Sequence, residues 1–178
     1  MSGSPEFSRR VPLARIGIEP YRQQIAATEA ERAALAQRFD LVSLNRLNAT
    51  VELVRTGERL VLLRADFEAA FEQSCTVTLD PIAGAVAERF LLLYGPSEDE
   101  EAGASLVGDE VAFEPLAGAT IDIGEAVAQE FSLALPPFPR SPDASPEVSL
   151  GADAAPAQDT SPFAGLLRLV DRDGGTAT

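Results

Sequence analysis

The segment "LVLLRADFEAAFEQSCTVTL", residues 60–79, alternates apolar and polar side chains over most of its length. A period of two is typical of an antiparallel strand with one buried and one solvent-exposed face. Together with "NATVELV" (48–54) and the turn "RTGER" (55–59), in which Gly57 supplies the turn, it predicts a hairpin. The residues predicted on the buried face of the second arm are Val61, Leu63, Ala65, Phe67, Ala69 and Phe71, and those on its exposed face are Arg64, Asp66, Glu68 and Glu72.

This second arm is too long to stay straight in a small domain. At about 3.3 Å per residue it would extend for roughly 65 Å, whereas a domain of this size is only about 40 Å across. We therefore predict a bend or a bulge in the arm near Ala69–Ala70 or Gln73–Ser74. A strongly bent strand that pairs with two neighbours predicts a curled, barrel-like sheet.

Three further segments are predicted to be strands. Residues 9–18 alternate apolar side chains with a one-residue slip and contain Pro12, which an edge strand tolerates. The segment "VAFEP" (111–115) predicts a short strand, and "AVAERFLLLYG" (85–95) predicts a longer one. The residues predicted on the buried face of that longer strand are Val86, Phe90 and Leu92.

Two helices are predicted, over residues 28–39 and 122–135, because apolar residues recur there at helical spacing. Each begins with the pattern of a capping box, which pairs Thr28 with Glu31 and Asp122 with Glu125. The residues expected to contact the core are Leu35, Phe39, Ile123, Val127 and Phe131.

The fold class that follows is α+β, with a bent antiparallel, barrel-like sheet, two or three packed helices and a disordered C-terminal linker. Residues 1–8 are interpreted as an N-terminal extension or a remnant of a cloning tag, and residues 9–140 as a single domain. Residues 141–161 are rich in Pro, Ala, Ser and Asp and predict a flexible linker. Residues 162–171 predict a short amphipathic helix that docks on the domain.

The formal net charge of −14 is unevenly distributed. Residues 1–89 hold 12 acidic residues and 11 arginines, whereas residues 90–139 hold ten acidic residues and no basic one. Such a segment should repel RNA, whose binding depends on cationic groups that contact phosphates. It favours a basic partner instead, and the alternative is that the acidic residues only keep the protein soluble.

The residue types offer little catalytic chemistry. The chain has no histidine or lysine, which excludes histidine-based triads, histidine-bound metals, Schiff bases and a P-loop. The single Cys75 lies in phase with apolar neighbours and predicts a buried, unreactive thiol. Asp122 and Glu125 are explained by capping, because the helix dipole favours negative charge at an N-terminus. We therefore predict no enzyme activity, no cofactor, no metal and no small-molecule substrate.

The segment "IDIGEAVAQEFSLALPPFP" (121–139) resembles a motif of the YceD-like family, the large ribosomal RNA subunit accumulation proteins. Further resemblances lie in "QSCTVTLDPI" (73–82), in the Pro-Phe-Ala-x-Leu pattern from residue 162 to 166, and in "EFSRRV" (6–11) with residues 27–49. The motif residues, to which the resemblance assigns a structural role, are Asp122, Gly124, Glu125, Leu135, Pro136, Pro139, Pro162 and Phe163.

The resemblance implies a non-catalytic, cytoplasmic factor that supports 23S rRNA accumulation and assembly of the large ribosomal subunit. Many members carry a Cys-x-x-Cys pair, but Thr78 takes the second position here, so that a zinc site built on such a pair is not available. The alternative is an acidic interaction or regulatory domain unrelated to ribosomes. No membrane-spanning segment is predicted, because no apolar run approaches the ~20 residues that a bilayer requires.

The partner implied by the resemblance and the charge is a basic large-subunit ribosomal protein or a pre-ribosomal particle. The residues predicted to bind it are Glu98, Asp99, Glu100, Glu101 and Glu130. The sequence does not decide whether the protein contacts RNA directly. The residues considered for such contact are Arg55, Arg59 and Arg64, and the alternative is that these arginines only form the solvent-exposed face of a strand.

Overall fold

The structure is a computed structural model, and it describes residues 5–17, 19–99, 111–116 and 118–144. In these ranges a five-stranded sheet has the order β2-β3-β4-β5-β6, and β1 and β7 form a separate two-stranded ladder. The elements are β1 (Arg10–Pro12), β2 (Tyr21–Ala26), α1 (Glu29–Arg38), β3 (Ser43–Arg55), β4 (Val61–Ser74), β5 (Pro81–Gly95), β6 (Ala112–Pro115), β7 (Thr120–Asp122) and α2 (Ile123–Ala134).

The hairpin predicted from the alternating segment is confirmed. Strands β3 and β4 pair antiparallel, and the turn between them contains Gly57 at a φ of 120°, a conformation that glycine adopts without steric cost. All the residues predicted on the inner face of β4 are buried, namely Val61, Leu63, Ala65, Phe67, Ala69 and Phe71.

The irregularity lies opposite Ala70 and Phe71, next to the predicted position Ala69–Ala70, but the extra residue belongs to the partner strand β3. Leu44 pairs with Phe71 and Arg46 with Ala70, which leaves Asn45 as the extra residue in β3. An extra residue in either strand of a pair bends both, so the length of one strand cannot reveal which strand holds it. The predicted strand is also too long, since β4 ends at Ser74 and a turn follows.

The sheet is neither wholly antiparallel nor closed. Strand β5 pairs antiparallel with β4 along its whole length, but β6 runs parallel to β5 beside Leu92–Gly95. No ladder among the described residues joins β2 to β6, so the sheet is open, and a barrel is not confirmed.

The N-terminal region differs from the prediction of one strand over residues 9–18. Strand β1 is short, pairs with β7 outside the main sheet, and is followed by a 3-10 turn at Leu13–Arg15. The guanidinium of Arg55 donates to the carbonyls of Ile16 and Leu13 at 2.8 and 3.1 Å, which takes carbonyls that a continuous strand would need. Strand β2, which was not predicted, occupies the edge of the main sheet.

Both predicted helices are confirmed, with different caps. The capping box of α1 is complete, because Thr28 and Glu31 bond reciprocally. At α2, Asp122 accepts from the backbone N–H groups of Gly124 and Glu125, but the reciprocal half of the predicted box is not formed. The carboxylate of Glu125 lies 2.8 and 3.0 Å from the two terminal nitrogens of Arg38 instead. A two-point, charge-assisted pair of this kind is stronger than a bond to a neutral N–H.

The core lies between the inner face of the sheet and the two helices. Phe131 of α2 is fully buried and meets the rings of Phe39, Phe67 and Phe71 edge-on. Phe7 is fully buried as well. The core therefore extends past the boundary at residue 9 that the sequence suggests. The predicted linker from residue 145 onward and the predicted helix over 162–171 lie outside the described residues.

Candidate interaction surface

The start of the family-like motif holds the N-terminal segment in place. The carboxylate of Asp122 accepts from the backbone N–H of Arg9 at 2.7 Å and from the hydroxyl of Ser8. A Cβ atom on Gly124 would lie 2.5 Å from the carbonyl oxygen of Phe7, so that only glycine permits this close approach. These contacts give Asp122 and Gly124 packing roles in this structure.

The proline-rich end of the motif contacts the turn that follows β4. The carbonyl of Pro136 accepts from the side-chain amide of Gln73 at 3.3 Å. The carbonyl of Pro139 accepts from the backbone N–H of Thr76 at 2.9 Å and from its hydroxyl at 3.1 Å. Leu135 is half-buried against the core. Pro162 and Phe163, also among the motif residues, lie outside the described residues.

Cys75 opens the turn and is fully buried, as predicted. Its sulfur accepts from the backbone N–H groups of Val77, Thr78 and Ser141 at 3.4–3.5 Å. The Ser141 N–H, followed by the hydroxyl and the N–H of Thr78, stabilises the thiolate and lowers the pKa of Cys75 to about 6. In the part of the chain that the structure describes, no group of three or more His, Cys, Asp or Glu residues could hold a metal ion.

The arginines considered for RNA contact lie in three different environments. Arg55 uses its guanidinium to bond backbone carbonyls, including that of Glu58 at 3.2 Å. Arg59, near the end of the hairpin, contacts Glu98 at 3.0 Å and Asp99 at 2.7 Å. Arg64 lies 3.8 Å from Glu52 on the open face of the sheet. The structure therefore does not bring these three arginines together as one cationic patch.

The open face of the sheet carries paired charges. Arg22 and Arg64 both contact Glu52, which lies between them in the ladder. Arg89 contacts Asp66 at 2.7 Å. Positive charge on this face is therefore largely compensated by neighbouring carboxylates.

The acidic residues predicted to bind a partner also lie in different elements of the structure. Glu98 and Asp99 lie in a 3-10 turn and are partly neutralised by Arg59. Glu130 of α2 is half-buried and lies near Glu114 of β6 and Glu88 of β5. Glu100 and Glu101 lie outside the described residues.

We call Glu88, Glu114 and Glu130 the carboxylate trio. Burial raises the pKa of Glu130, and the negative charges of Glu114 and Glu88 raise it further. Among the ion pairs of the described residues, none involves a member of the trio. Glu88 and Glu114 each act on Glu130, although they lie six residues apart along the edge of β5, and together the three form an acidic stretch of surface without an ion pair among the described residues. Sequence reasoning identified only Glu130, because Glu88 and Glu114 become its neighbours only when α2 packs on the assembled sheet.

The fold and the motif contacts together define a small, acidic α+β protein. Its capped helix α2 packs on an open five-stranded sheet, and the proline-rich segment after this helix contacts the turn that follows β4. A family model described as "Large ribosomal RNA subunit accumulation protein YceD" matches residues 63–169. The match covers more than half of the chain, and the chain belongs to this family.

The matched range begins in β4 and includes both α2 and the proline-rich segment. The resemblance that the sequence suggests for residues 6–11 and 27–49 lies outside it. Neither the comparison with curated proteins nor the comparison with solved structures gives a match. None of the described helices is long and apolar enough to cross a membrane.

Proposed function

We propose that this protein is a non-catalytic factor that supports 23S rRNA accumulation and assembly of the large ribosomal subunit in the cytoplasm. The observation that carries the proposal is the family match over residues 63–169. On this proposal the protein binds a basic large-subunit ribosomal protein or a precursor particle through its acidic surface. It needs no cofactor and no small-molecule substrate for that role.

Two features of the structure support a basic partner rather than direct binding of RNA. The carboxylate trio presents like charges without an arginine partner among the described residues, which favours a cationic ligand. The arginines of the open sheet face are paired with acids, which reduces their attraction for phosphate. The partner-binding set therefore consists of the trio together with Glu98, Asp99, Glu100 and Glu101.

The deciding experiment is co-sedimentation of the purified protein with precursor large subunits at two salt concentrations. We expect wild-type protein to co-sediment and to lose association as salt rises, because salt screens charges on an exposed surface. If it associates with neither precursor particles nor isolated basic ribosomal proteins, the proposal is wrong, and an acidic interaction domain unrelated to ribosomes becomes the better reading.

Variants of the acidic segment test the surface itself. Reversing Glu98, Glu100 and Glu101 to arginine should slow association and weaken its salt dependence, because charges at the rim of an interface act mainly on the association rate. A matched control reverses three exposed acids without described ion pairs, namely Glu19, Asp80 and Asp143. Equal rates and salt slopes for wild type and the first variant would indicate that this acidity serves solubility.

Replacing Arg59 should have the opposite effect on the rate of association with the partner. Since Arg59 contacts Glu98 and Asp99 at 3.0 and 2.7 Å, Arg59→Gln removes positive charge from the acidic surface. The variant should therefore associate with a basic partner faster than wild type at low salt. Slower association would indicate that Arg59 itself contacts the partner, as expected if the partner were RNA.

A further inference from the structure

Strand β5 leaves most of one edge free among the described residues. It pairs with β4 from Pro81 to Gly95, but its other neighbour, β6, covers only Leu92–Gly95. In the described ranges no strand pairs with the outer edge of β5 from Pro81 to Leu91. We call residues 81–91 the free edge. It is long enough for a partner strand of ordinary length.

The side chains of the free edge permit close approach by another backbone. Ala83, Ala85 and Ala87 are small and face the open side of the sheet. On the inner side, Gly84 lies against the ring of Phe71, and a Cβ atom there would come within 2.6 Å of that ring. The backbone of β5 is therefore flanked by small side chains at Ala83, Gly84, Ala85 and Ala87.

The opposite edge of the sheet is a poorer site. Strand β2 is shorter, since it runs only from Tyr21 to Ala26. The guanidinium of Arg9 donates to the carbonyl of Ala26 at 3.2 Å, so this carbonyl at the end of β2 is already hydrogen-bonded. Edge strands invite pairing with another chain unless they are short, charged or covered, and β5 is neither short nor covered by described residues.

The charges beside the free edge specify what kind of strand it takes. Glu88 lies within the edge, on the inner side of the sheet, because it pairs with the buried Phe67. Glu114 shares this side, because it pairs with Tyr94 beyond the end of the free edge, and Glu130 approaches from α2. A strand added to β5 would therefore place every second side chain on the inner side of the sheet, and those beside Glu88 would face the near end of the carboxylate trio.

We propose that a basic, extended segment of a partner protein adds to the free edge as a sixth strand, with cationic side chains facing the carboxylate trio. This mode combines main-chain hydrogen bonds with recognition of alternate side chains. The inference rests on the proposed function, because it specifies how a basic partner would bind the acidic surface. Residues 83–87 receive the backbone, and the trio selects for lysine or arginine.

The test uses the full-length protein and a short capped peptide in which lysine alternates with valine. A second peptide of the same sequence is N-methylated at every other residue on the edge that would face β5, so that it keeps the charge but loses those N–H donors. Affinity is measured by fluorescence anisotropy, and amide hydrogen exchange of residues 81–91 is followed with and without peptide. We expect binding of the first peptide to slow exchange at the alternate amides of residues 81–91 whose N–H groups point away from β4.

The substitutions Glu88→Gln, Glu114→Gln and Glu130→Gln, combined, should weaken binding about tenfold at low salt, because several partly exposed charges are lost together. The control combines Glu19→Gln, Glu29→Gln and Glu58→Gln, which neutralise exposed acids elsewhere, and should change affinity less than twofold. N-methylation should weaken binding more than tenfold, since it removes several backbone hydrogen bonds.

Three outcomes would overturn the inference. Equal affinity of the two peptides would mean that charge alone causes binding. Unchanged exchange of amides 81–91 on binding would place the peptide elsewhere. Exchange that is already as slow in the free protein as in the β3–β4 pair would mean that the edge is occupied before the peptide is added. If dilution makes exchange faster, the occupant is a second copy of the protein; if it does not, the occupant is another segment of the same chain.

Failure here is distinguishable from failure of the proposed function. If wild-type protein and the trio variant co-sediment equally with precursor particles, the assembly role stands and the free edge is not the docking site. If the peptide binds as expected but no ribosomal component associates, strand addition stands and the basic partner is not ribosomal.

Discussion

Truncation of Phe131 to alanine should lower the free energy of unfolding by about 4–5 kcal/mol. The side chain is fully buried, and substitutions of this kind usually cost about 3–5 kcal/mol because they lose transfer free energy and leave a cavity. The upper part of this range is expected, because the ring meets those of Phe71, Phe39 and Phe67 with centroids 5.6, 5.9 and 6.5 Å away. Edge-on aromatic pairs contribute about 0.5–1.5 kcal/mol each beyond simple burial.

The assay is urea unfolding of the full-length protein, followed by far-ultraviolet circular dichroism. With a slope of about 2 kcal/mol/M for a domain of this size, the midpoint should fall by about 2 M while the slope stays unchanged. The matched control is Leu133→Ala in the same helix, where the side chain is 78% exposed and the expected change is within about 0.5 kcal/mol. Phe131→Leu should recover more than half of the loss.

A loss below about 1.5 kcal/mol for Phe131→Ala, or one no larger than that of Leu133→Ala, would refute the reasoning. It would mean that α2 is not attached to the sheet through this ring. A reduced slope together with a reduced midpoint would instead indicate that the variant no longer unfolds in one cooperative step.

Gly124→Ala should destabilise the protein by about 2 kcal/mol in urea unfolding, because the new Cβ would overlap the N-terminal backbone, although alanine is the better helix former by about 1 kcal/mol. The control is Gly17→Ala, where no atom lies within 4 Å of the new Cβ, and a Gly124→Ala variant more stable than wild type would contradict the close packing of this residue. The pKa of Glu31 is lowered to about 2, chiefly by Arg9, below its usual 4.5, so its stabilisation is present above about pH 4.5 and is lost as the pH falls toward 2. Glu31→Gln should therefore cost about 2 kcal/mol at pH 7 and flatten the decline of stability between pH 5 and pH 2 in urea titrations, whereas an unchanged decline would exclude this pair as its cause. Cys75 should react with a thiol reagent far more slowly in the native protein than in urea at the same pH, because the fully buried sulfur is shielded from the reagent although neighbouring hydrogen-bond donors lower its pKa. Equal rates would show that the sulfur is accessible.

The sequence by itself determined the elements whose signals are local. Alternation along residues 60–71, with Gly57 before it, predicted the hairpin correctly, because side-chain direction in a strand depends only on position along it. The predictions of the cap at Thr28 and of helix α2 from its apolar spacing were correct for a similar reason, because each depends on residues within one or two turns of the helix.

Only the tertiary structure decided where these elements meet. The bulge could lie in either strand of the hairpin, and pairing placed it at Asn45. Glu125 pairs with Arg38 instead of completing its capping box, because a distant helix brings a stronger donor to it. The carboxylate trio comes from β5, β6 and α2, and like charges become neighbours across such sequence distances only when strand order and helix packing are fixed.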